Sequence, residues 1–136
     1  MGEEVHVVAG VLYDERGRVL IAQRPAGKAL AGRWEFPGGK VADGEAPFDA
    51  LVREFEEELG LVVASATRMM EYPVSYPGRT IWLDVWVVGE WSGTARGLDG
   101  QAFEWVAPAE LGNHDILEAD APIIEALTRK SPGASS

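Results

Sequence analysis

One stretch of the sequence, from the paired glycines at 38–39 to Leu61, constrains the fold more than any other. Within it, apolar residues recur every three or four positions between Pro47 and Leu59, which predicts an α-helix with a single buried stripe. Proline suits the first turn of such a helix, and Gly60 suits its end. The predicted stripe consists of Phe48, Leu51, Val52, Phe55 and Leu59.

The same helix gathers negative charge on one edge. At 100° per residue, Glu54, Glu57 and Glu58 fall within a wedge of about 100° beside the stripe, whereas Glu56 lies on the opposite flank. Like charges three or four residues apart cost roughly 0.2–0.5 kcal/mol per pair, and the last helical turn is already the negative end of the helix dipole. A bound divalent cation of the magnesium type would reverse both penalties, because such ions take carboxylate oxygens. The alternative is an acidic face that is simply solvated.

Composition narrows the class of protein. A chain of 136 residues is predicted to form one domain, which we place at residues 1–130, with a disordered tail at 131–136. With 12 basic against 22 acidic residues the net charge is −10, which excludes a basic surface for a polynucleotide. The absence of cysteine excludes disulfides, thiolate metal sites and a cysteine nucleophile. No long apolar run follows the acidic start, so we expect a cytoplasmic protein without a membrane span.

Strand signals dominate the rest of the chain. Residues 5–13 and 19–23 are apolar and β-branched and are joined by a short polar turn, which predicts a hairpin. Residues 69–78 contain two prolines and are expected to be a broken strand or a loop. The strongest strand signal spans residues 81–88, where apolar positions on both faces predict that both faces are largely covered. Shorter elements are predicted as strands at 61–68 and 103–106, a helical turn at 108–111 and a second helix at 122–130.

The glycine loop and the acidic helix together resemble the Nudix box, the signature of hydrolases that cleave nucleoside diphosphates linked to another moiety. The pattern starts at Gly39, continues at Glu45 and ends with the segment Arg53–Leu61, and every fixed position is filled. So long a pattern is far more specific than a short glycine motif. The order of elements is also similar to the Nudix fold, which implies an α/β protein: an α/β/α sandwich with a mixed β-sheet between helices.

The resemblance extends to the MutT branch of that family, whose members hydrolyse oxidised guanine nucleotides. It is carried by residues 34–40, 76–79, 100–101, 104–105 and 121–124. It implies a small-molecule nucleotide as substrate and Mg²⁺ as cofactor, with Mn²⁺ as a substitute. We expect a monomer. The metal ligands that the resemblance implies are Gly38, through its carbonyl, and the catalytic glutamates Glu54, Glu57 and Glu58.

Basic residues are expected around the substrate. Arg53 either contacts the substrate or forms an ion pair with Glu45 that braces helix and loop. Lys40 either offers a point charge to the phosphates or is a surface lysine. The resemblance implies that Arg24 lies against the nucleotide, the alternative being a solvated side chain. The predicted base pocket consists of Phe36, Arg79 and Asp120, of which Phe36 is otherwise a core residue.

Two positions depart from the MutT pattern. Asp99 replaces a glutamate in the loop before Gly100. Either Asp99 or one of the helix glutamates is the candidate general base, and the alternative is that Asp99 is an ordinary loop aspartate. Asp120 replaces an asparagine that pairs with the oxidised purine. An ionised carboxylate only accepts hydrogen bonds, so Asp120 loses the donor function unless it is protonated in an apolar pocket. The carboxylate would favour a base edge rich in donors, and a plain helix cap is the alternative role.

The resemblance therefore predicts a magnesium-dependent nucleoside-triphosphate diphosphohydrolase that converts 8-oxo-dGTP or dGTP to the monophosphate and pyrophosphate. Such an enzyme sanitises the nucleotide pool and so contributes to DNA repair. One alternative is a Nudix hydrolase acting on a pyrimidine nucleotide, of the dCTP type or modified. Another is a non-catalytic nucleotide-binding module, against which the intact glutamates argue. The lone histidines His6 and His114 are expected to be structural, and Trp82 and Trp86 to fill a sheet face rather than stack on a base.

Overall fold

The computed structural model describes residues 2–98 and 100–130. The tail predicted at 131–136 lies outside the described residues. Contacts divide the chain into a first unit, residues 1–12 with 37–98, and a second unit, residues 13–36 with 99–136. In chain order the strands are β1 Glu3–Val11, β2 Val19–Gln23, β3 Trp34–Glu35, β4 Gly38–Lys40, β5 Val62–Val63, β6 Ala66–Tyr76, β7 Arg79–Val88, β8 Trp91–Ser92 and β9 Phe103–Val106, and the α-helices are α1 Pro47–Leu59 and α2 Ala121–Lys130.

The first unit is built on a four-stranded mixed sheet of order β4-β1-β7-β6. Strand β1 runs parallel to β7 along its whole length, whereas β4 and β6 are antiparallel to their neighbours. A short antiparallel ribbon of β5 and β8 completes the unit. A mixed sheet combined with helices confirms the predicted α/β class.

Helix α1 lies directly on β1, and its sequence explains both ends. Pro47 occupies the first turn, and Gly60 adopts the left-handed φ of 70° that ends the helix. Leu51, Phe55 and Leu59 are fully buried, as the stripe predicts, whereas its other members are only half-buried. A Cβ added to Gly10 of β1 would come within 2.6 Å of the Phe55 ring, so this glycine lets the helix approach the sheet.

Strand β7 shows the predicted alternation between two covered faces. Leu83 and Val85 are buried on one face and Asp84 on the other. Cover is incomplete at Trp82, which is 36% exposed. Trp86 contacts two neighbours, the Phe48 ring at 6.2 Å between centroids and the Arg68 guanidinium at 4.9 Å. The central part of β7 is therefore buried and its two tryptophans differ in environment.

The second unit contains a three-stranded antiparallel sheet of order β3-β2-β9. Its core is formed by β2 and by the apolar face of α2, including Leu20, Ile21 and Ile123, each with no exposed surface. Two 3-10 turns, Pro108–Asn113 and Glu118–Asp120, precede α2. The predicted helical turn and final helix are therefore present, each slightly longer than predicted.

The predicted hairpin of the first two strands is wrong. β1 and β2 lie in different sheets, and only the single bridge Tyr13–Val19 links the ends of this turn. Both edges of β1 are already occupied by β4 and β7, so no edge remains for β2. The turn instead closes on itself, because the Asp14 carboxylate accepts hydrogen bonds from the Arg16 and Arg18 amides, both at 2.9 Å.

The predicted break at residues 69–78 is also wrong. Strand β6 is continuous from Ala66 to Tyr76, with one bulge between Arg68 and Met70. Because β6 is an edge strand, Pro73 can lack an amide hydrogen without leaving a ladder partner unsatisfied.

Among the described residues, neither helix has the length and hydrophobicity that crossing a bilayer requires.

Candidate active site

Arg53 is the electrostatic centre of the acidic helix. Its Nε and Nη2 donate to the two carboxylate oxygens of Glu45 at 2.8 and 2.9 Å, and Nη2 also donates to the Lys40 carbonyl at 3.0 Å. Glu45 accepts a further hydrogen bond from the Ala42 amide at 2.9 Å. These bonds, the one from Arg53 above all, lower the pKa of Glu45 to about 2. Arg53 and Glu45 thus fasten the loop after β4 to α1 through charge-assisted hydrogen bonds.

Arg53 also reaches two of the three predicted metal ligands. Its Nη1 lies 3.0 Å from Glu54 Oε2 and 3.4 Å from Glu57 Oε1. The Glu54 side chain is only 15% exposed, whereas that of Glu57 is 61% exposed. Glu58 is half-buried on the same helix. One guanidinium therefore faces three carboxylates, counting Glu45, and the helix edge keeps an excess of negative charge.

The paired glycines bring backbone against that edge. A Cβ on Gly39 would overlap the Glu54 carboxylate, and a Cβ on Gly38 would overlap the Val8 carbonyl. The clash at Gly38 would be with backbone, which makes glycine necessary there, whereas at Gly39 it would be with the end of a flexible side chain. Gly38 pairs with Ala9 in strand β4, so the close approach is held in a sheet. The carboxylates of this edge are hard oxygen donors of the type that fits a hard divalent cation.

A segment predicted only as a polar loop closes the C-terminal end of α1. The Arg96 amide donates to the Leu59 carbonyl at 2.9 Å, and the Leu98 amide donates to the Glu58 carbonyl at 3.0 Å. These bonds satisfy carbonyls that the end of a helix leaves open. The Arg96 guanidinium also lies beside the terminal glycine, where positive charge suits the helix dipole. Asp99, the predicted general base, follows directly but lies outside the described residues.

Two predicted base-pocket residues meet in the second unit. Asp120 ends the 3-10 turn before α2, and its Oδ2 accepts a hydrogen bond from the Phe36 amide at 2.9 Å. Both residues are buried, at 5% and 3% exposure. In the described part of the chain this is the only hydrogen bond that the carboxyl makes. The Asp120 carboxyl is therefore buried and bound to the backbone amide of Phe36, the residue that follows β3.

The charge state of Asp120 depends on its surroundings. Burial raises the pKa of Asp120 to about 7; the Phe36 hydrogen bond and the Arg24 charge oppose this, while the negative charge of Glu35 adds to it. Burial also raises the pKa of Glu35, although Arg24 Nη1 lies 3.1 and 3.3 Å from its oxygens. Arg24 Nε donates to the Ala29 carbonyl at 2.7 Å, so this arginine is held within the unit rather than solvated.

The other predicted substrate contacts are distributed between the units. Lys40 ends β4 and Arg79 begins β7, and both are exposed in the first unit. Arg24 belongs to the second unit together with the remaining pocket residues. There it lines a cavity of about 590 Å³ with Gln23, Gln101 and several small residues.

Comparison with known proteins assigns the family. Residues 4–127 match the profile of the NUDIX domain. The chain belongs to the NUDIX domain family.

The CTP pyrophosphohydrolase of Escherichia coli K12 is 38% identical over 123 residues, which cover 90% of each chain. The 8-oxo-dGTP diphosphatase of the same organism is 33% identical over 127 residues, covering 93% of this chain and 98% of that protein. The solution structure of the E. coli ORF135 protein, 34% identical, superposes with a TM-score of 0.85 over 99% of this chain and 96% of that one.

These comparisons confirm the predicted Nudix membership and the resemblance to MutT. Among the solved structures, one from work on MutT of Aliivibrio salmonicida and Vibrio cholerae is 32% identical. It superposes with a TM-score of 0.83 and covers 94% of this chain and 99% of that one. In this Nudix chain the box residues Gly39, Glu45, Arg53 and Glu54 are brought into contact by hydrogen bonds or close approach.

The three box glutamates are not drawn into one compact cluster. In residues 2–98 and 100–130, the only set of three or more histidines and carboxylates whose ligand atoms lie within 4.8 Å of one another is His6, Glu71 and Asp84. This group, outside the Nudix box, was not predicted. Asp84 is fully buried and receives two hydrogen bonds from Arg68, at 2.8 and 2.9 Å. Because Arg68 already balances its charge, we interpret the group as an ion-pair network.

His6 and Arg68 both contact the buried Asp84 carboxylate. His6 Nε2 lies 3.1 Å from Asp84 Oδ2 and 3.8 Å from Glu71 Oε2. Burial acts to raise the pKa of Asp84, but the hydrogen bonds from Arg68 and His6 prevail and lower it. Alternation along β7 places Asp84 on a covered face, but its partners come from β1 and β6, and nothing in the local sequence indicates them.

Proposed function

We propose that this Nudix protein hydrolyses a nucleoside triphosphate at an inner phosphorus and releases a nucleoside monophosphate and pyrophosphate. The first proposed substrate is 8-oxo-dGTP, with dGTP, which would assign the protein to sanitation of the nucleotide pool and hence to DNA repair. The braced acidic edge of α1 carries the proposal, because Glu54 lies against Gly39 while Arg53 faces three carboxylates. The similarity to a protein named 8-oxo-dGTP diphosphatase supports it.

The acidic edge is the proposed site of a divalent cation. When bound there, Mg²⁺, or Mn²⁺ as a substitute, supplies neutralisation of charge on the phosphate oxygens and acidifies a bound water. The excess of negative charge beside Arg53 supports this proposal, since like charges on one helix edge are destabilising without a counterion. The proposed ligands are Gly38, through its carbonyl, and the carboxylates of Glu54, Glu57 and Glu58.

The other residues of the helix and loop position the reacting groups. The two hydrogen bonds between Arg53 and Glu45 fix the loop that follows Lys40, the last residue of β4, whose ammonium would contact the phosphates. Arg53 also holds Glu54 at 3.0 Å, which limits the rotamers of that carboxylate. The attacking water would lose its proton to a helix glutamate or to Asp99, since a general base must lie within hydrogen-bonding distance of the proton that it removes.

The nucleobase contact is proposed for Asp120, with Phe36 and Arg24 of the same unit; Arg79, in the first unit, stays a separate prediction for contact with the substrate. A protonated Asp120 donates one hydrogen bond and accepts another, as the asparagine of the MutT pattern does. The raised pKa of this buried carboxyl supports such a form near neutral pH. Phe36 supplies the buried ring and the amide that orients the carboxyl.

A pyrimidine nucleotide of the CTP type is the second candidate substrate. The ionised form of Asp120 accepts hydrogen bonds only, and the amino group of cytosine is a donor. The similarity to a protein named CTP pyrophosphohydrolase, at 38% identity, favours this candidate. The two candidates share the phosphate chemistry and differ in the charge state that Asp120 must adopt.

A substrate panel tests the proposal. The protein is incubated with Mg²⁺ and, separately, 8-oxo-dGTP, dGTP, CTP, dCTP, 5-methyl-dCTP or ADP-ribose, and the products are separated by chromatography. We expect monophosphate and pyrophosphate from at least one triphosphate, and no turnover after chelation of the metal. The Glu54→Gln variant, prepared in parallel, excludes a contaminating phosphatase. No turnover of any compound would refute the enzymatic proposal, and cleavage of ADP-ribose alone would refute the triphosphate class.

We also propose that residues 1–130 form a single domain that acts as a monomer in the cytoplasm. The match of the NUDIX profile to residues 4–127 supports the domain assignment. Light scattering on the purified protein tests the monomer, and a mass of twice the chain would overturn it.

A further inference from the structure

His114 lies where three parts of the second unit meet. Its ring packs edge-on against Trp34 of β3, with centroids 5.9 Å apart and planes at 86°. Its Nε2 lies 3.1 Å from Glu104 Oε1 of β9. Its Nδ1 lies 3.4 Å from the carbonyl oxygen of Glu110, in the 3-10 turn that precedes it. The side chain is only 20% exposed, so these contacts account for most of its surroundings.

Both nitrogens of this ring face hydrogen-bond acceptors. A carboxylate and a backbone carbonyl can only accept, so each ring nitrogen must carry a hydrogen to bond its partner. A neutral imidazole has a single N–H and would satisfy only one contact. The contact with Glu104 is the shorter of the two, at 3.1 Å against 3.4 Å, and it links the residue after the turn to β9.

The segment that follows His114 is fastened to β3. The Trp34 amide donates to the Asp115 carbonyl, and the Leu117 amide donates to the Trp34 carbonyl, both at 2.9 Å. Ile116 forms a parallel bridge with Trp34, and its carbonyl accepts a hydrogen bond from Arg33 Nη2 at 2.9 Å. Residues 115–117 thus extend the sheet beside β3.

The same segment leads directly to Asp120. The Asp120 amide donates to the Leu117 carbonyl at 3.0 Å, and its carboxyl accepts from the Phe36 amide, two residues beyond Trp34. Chain order therefore places His114 at the start and Asp120 at the end of one continuous set of contacts with residues 34–36. Any shift of this segment along β3 would move the carboxyl away from the Phe36 amide.

We propose that His114 is a positioning residue for base recognition: by tying residues 114–120 to Glu104, it keeps the Asp120 carboxyl in register with the Phe36 amide. The inference rests on the proposed role of Asp120 in contacting the nucleobase. His114 itself touches no reacting atom. Its effect is on selectivity and on binding of the base, not on cleavage of the phosphoanhydride.

Three variants separate this role from general stability. His114→Phe keeps an aromatic edge for Trp34 but removes both ring nitrogens, and Glu104→Gln keeps the size of the partner while removing its charge. Glu125→Gln is the matched control, because it removes the carboxylate of an exposed ion pair with Arg129 on α2 of the same unit, at 3.3 Å. The three variants are compared with the unchanged protein at pH 7.

The first measurement does not require activity. Amide hydrogen exchange, followed by NMR, reports on the Leu117 and Phe36 amides that hold the segment and the carboxyl in place. We expect exchange at both sites to accelerate about tenfold in His114→Phe and in Glu104→Gln, and to change less than about twofold in the control. Unchanged protection in both test variants would overturn the proposal.

The second measurement is steady-state kinetics with 8-oxo-dGTP and CTP. In His114→Phe we expect KM for the preferred nucleotide to rise about tenfold with kcat within about twofold, because uniform binding is lost. Selectivity between the two nucleotides should fall with it. In an Asp120→Ala background, which removes the polar side chain altogether, the same substitution should leave selectivity unchanged, because the group it positions is gone. An equal loss of selectivity in both backgrounds would overturn the proposal.

The two measurements distinguish the possible failures. If the unchanged protein turns over no nucleotide, the proposed function fails, and amide exchange alone decides whether His114 holds the segment. If it turns over nucleotide but His114→Phe alters neither exchange nor selectivity, the positioning role fails while the proposed function stands.

Discussion

The raised pKa of Asp120 predicts that base preference changes with pH. The carboxyl is 5% exposed, is bonded by the Phe36 amide, and has a pKa of about 7. Below that pH it is an acid with one donor and one acceptor, and above it a carboxylate that only accepts. The acid form suits the donor and acceptor edge of oxidised guanine, whereas the carboxylate suits the amino group of cytosine.

The size of the effect follows from the titration. The ratio of acid to carboxylate falls tenfold per pH unit, so the ratio of kcat/KM for 8-oxo-dGTP to kcat/KM for CTP should fall about tenfold between about pH 6.5 and 7.5. The change levels off once the wrong protonation state costs its full penalty, about 1–3 kcal/mol for an unsatisfied buried group. Selectivity at the two extremes should therefore differ by about 10- to 100-fold.

The assay is kcat/KM for both nucleotides from pH 5.5 to 8.5 at saturating Mg²⁺. Taking the ratio cancels every ionisation that the two reactions share, including that of the attacking water. The matched control is Asp120→Asn, which has no titrating group and should give a flat ratio that favours 8-oxo-dGTP. If the unchanged protein gives a flat ratio as well, Asp120 does not titrate in contact with the base, and the reasoning is refuted.

The same titration can be checked through stability, without a substrate. The native Asp120 holds its proton up to about pH 7, whereas in the unfolded chain the carboxyl loses it near pH 4. The native state therefore binds more protons between these values, and the contribution of Asp120 to folding becomes more unfavourable as pH rises through that window. The difference in unfolding free energy between the unchanged protein and Asp120→Asn, measured in urea, should change by up to about 1.4 kcal/mol per pH unit there. A constant difference would show that burial does not raise this pKa.

Three further predictions concern the first unit. Glu54→Gln should lower turnover at least about 100-fold while leaving the thermal midpoint within a few degrees, and a near-normal rate would exclude Glu54 as a metal ligand. Gly10→Ala should cost about 1–3 kcal/mol of unfolding free energy in urea because its Cβ overlaps Phe55, whereas the control Gly112→Ala, which meets open space, should be neutral. Asp84→Asn should also lower the free energy of unfolding. Because the native pKa of Asp84 is lowered, the difference in unfolding free energy between the two proteins should shrink as the pH falls below the ordinary pKa of an aspartate. A difference that does not depend on pH would exclude the ion pair as its cause.

The acidic helix was predictable because its determinants are local. Periodicity, Pro47 and Gly60 set its limits, and these agree with the bounds of α1. The wedge containing Glu54 follows from helix geometry alone. The ion pair between Arg53 and Glu45 also joins residues close in sequence, and it was one of the predicted alternatives for Arg53.

Contacts between distant segments were not predictable in the same way. The hairpin of β1 and β2 failed because nothing in either strand reveals that β4 and β7 take both edges of β1. Pro73 looked like a break because its tolerance depends on β6 being an edge strand, which is a property of the sheet. The network around Asp84 draws on three strands, and its partners were missed for the same reason.

The two halves of the proposed chemistry therefore differ in how they are encoded. The proposed phosphate site lies within residues 38–61, and a single motif identifies it. The proposed base recognition involves Asp120 and Phe36, 84 residues apart, and a burial that raises the pKa of the carboxyl and so decides whether it is a donor or an acceptor. A substitution at Glu35 or His114 would alter that burial or its electrostatics without touching the Nudix box. Substrate preference should for this reason vary among proteins with identical boxes, and the segments around residues 35 and 114–120 are where its determinants are expected.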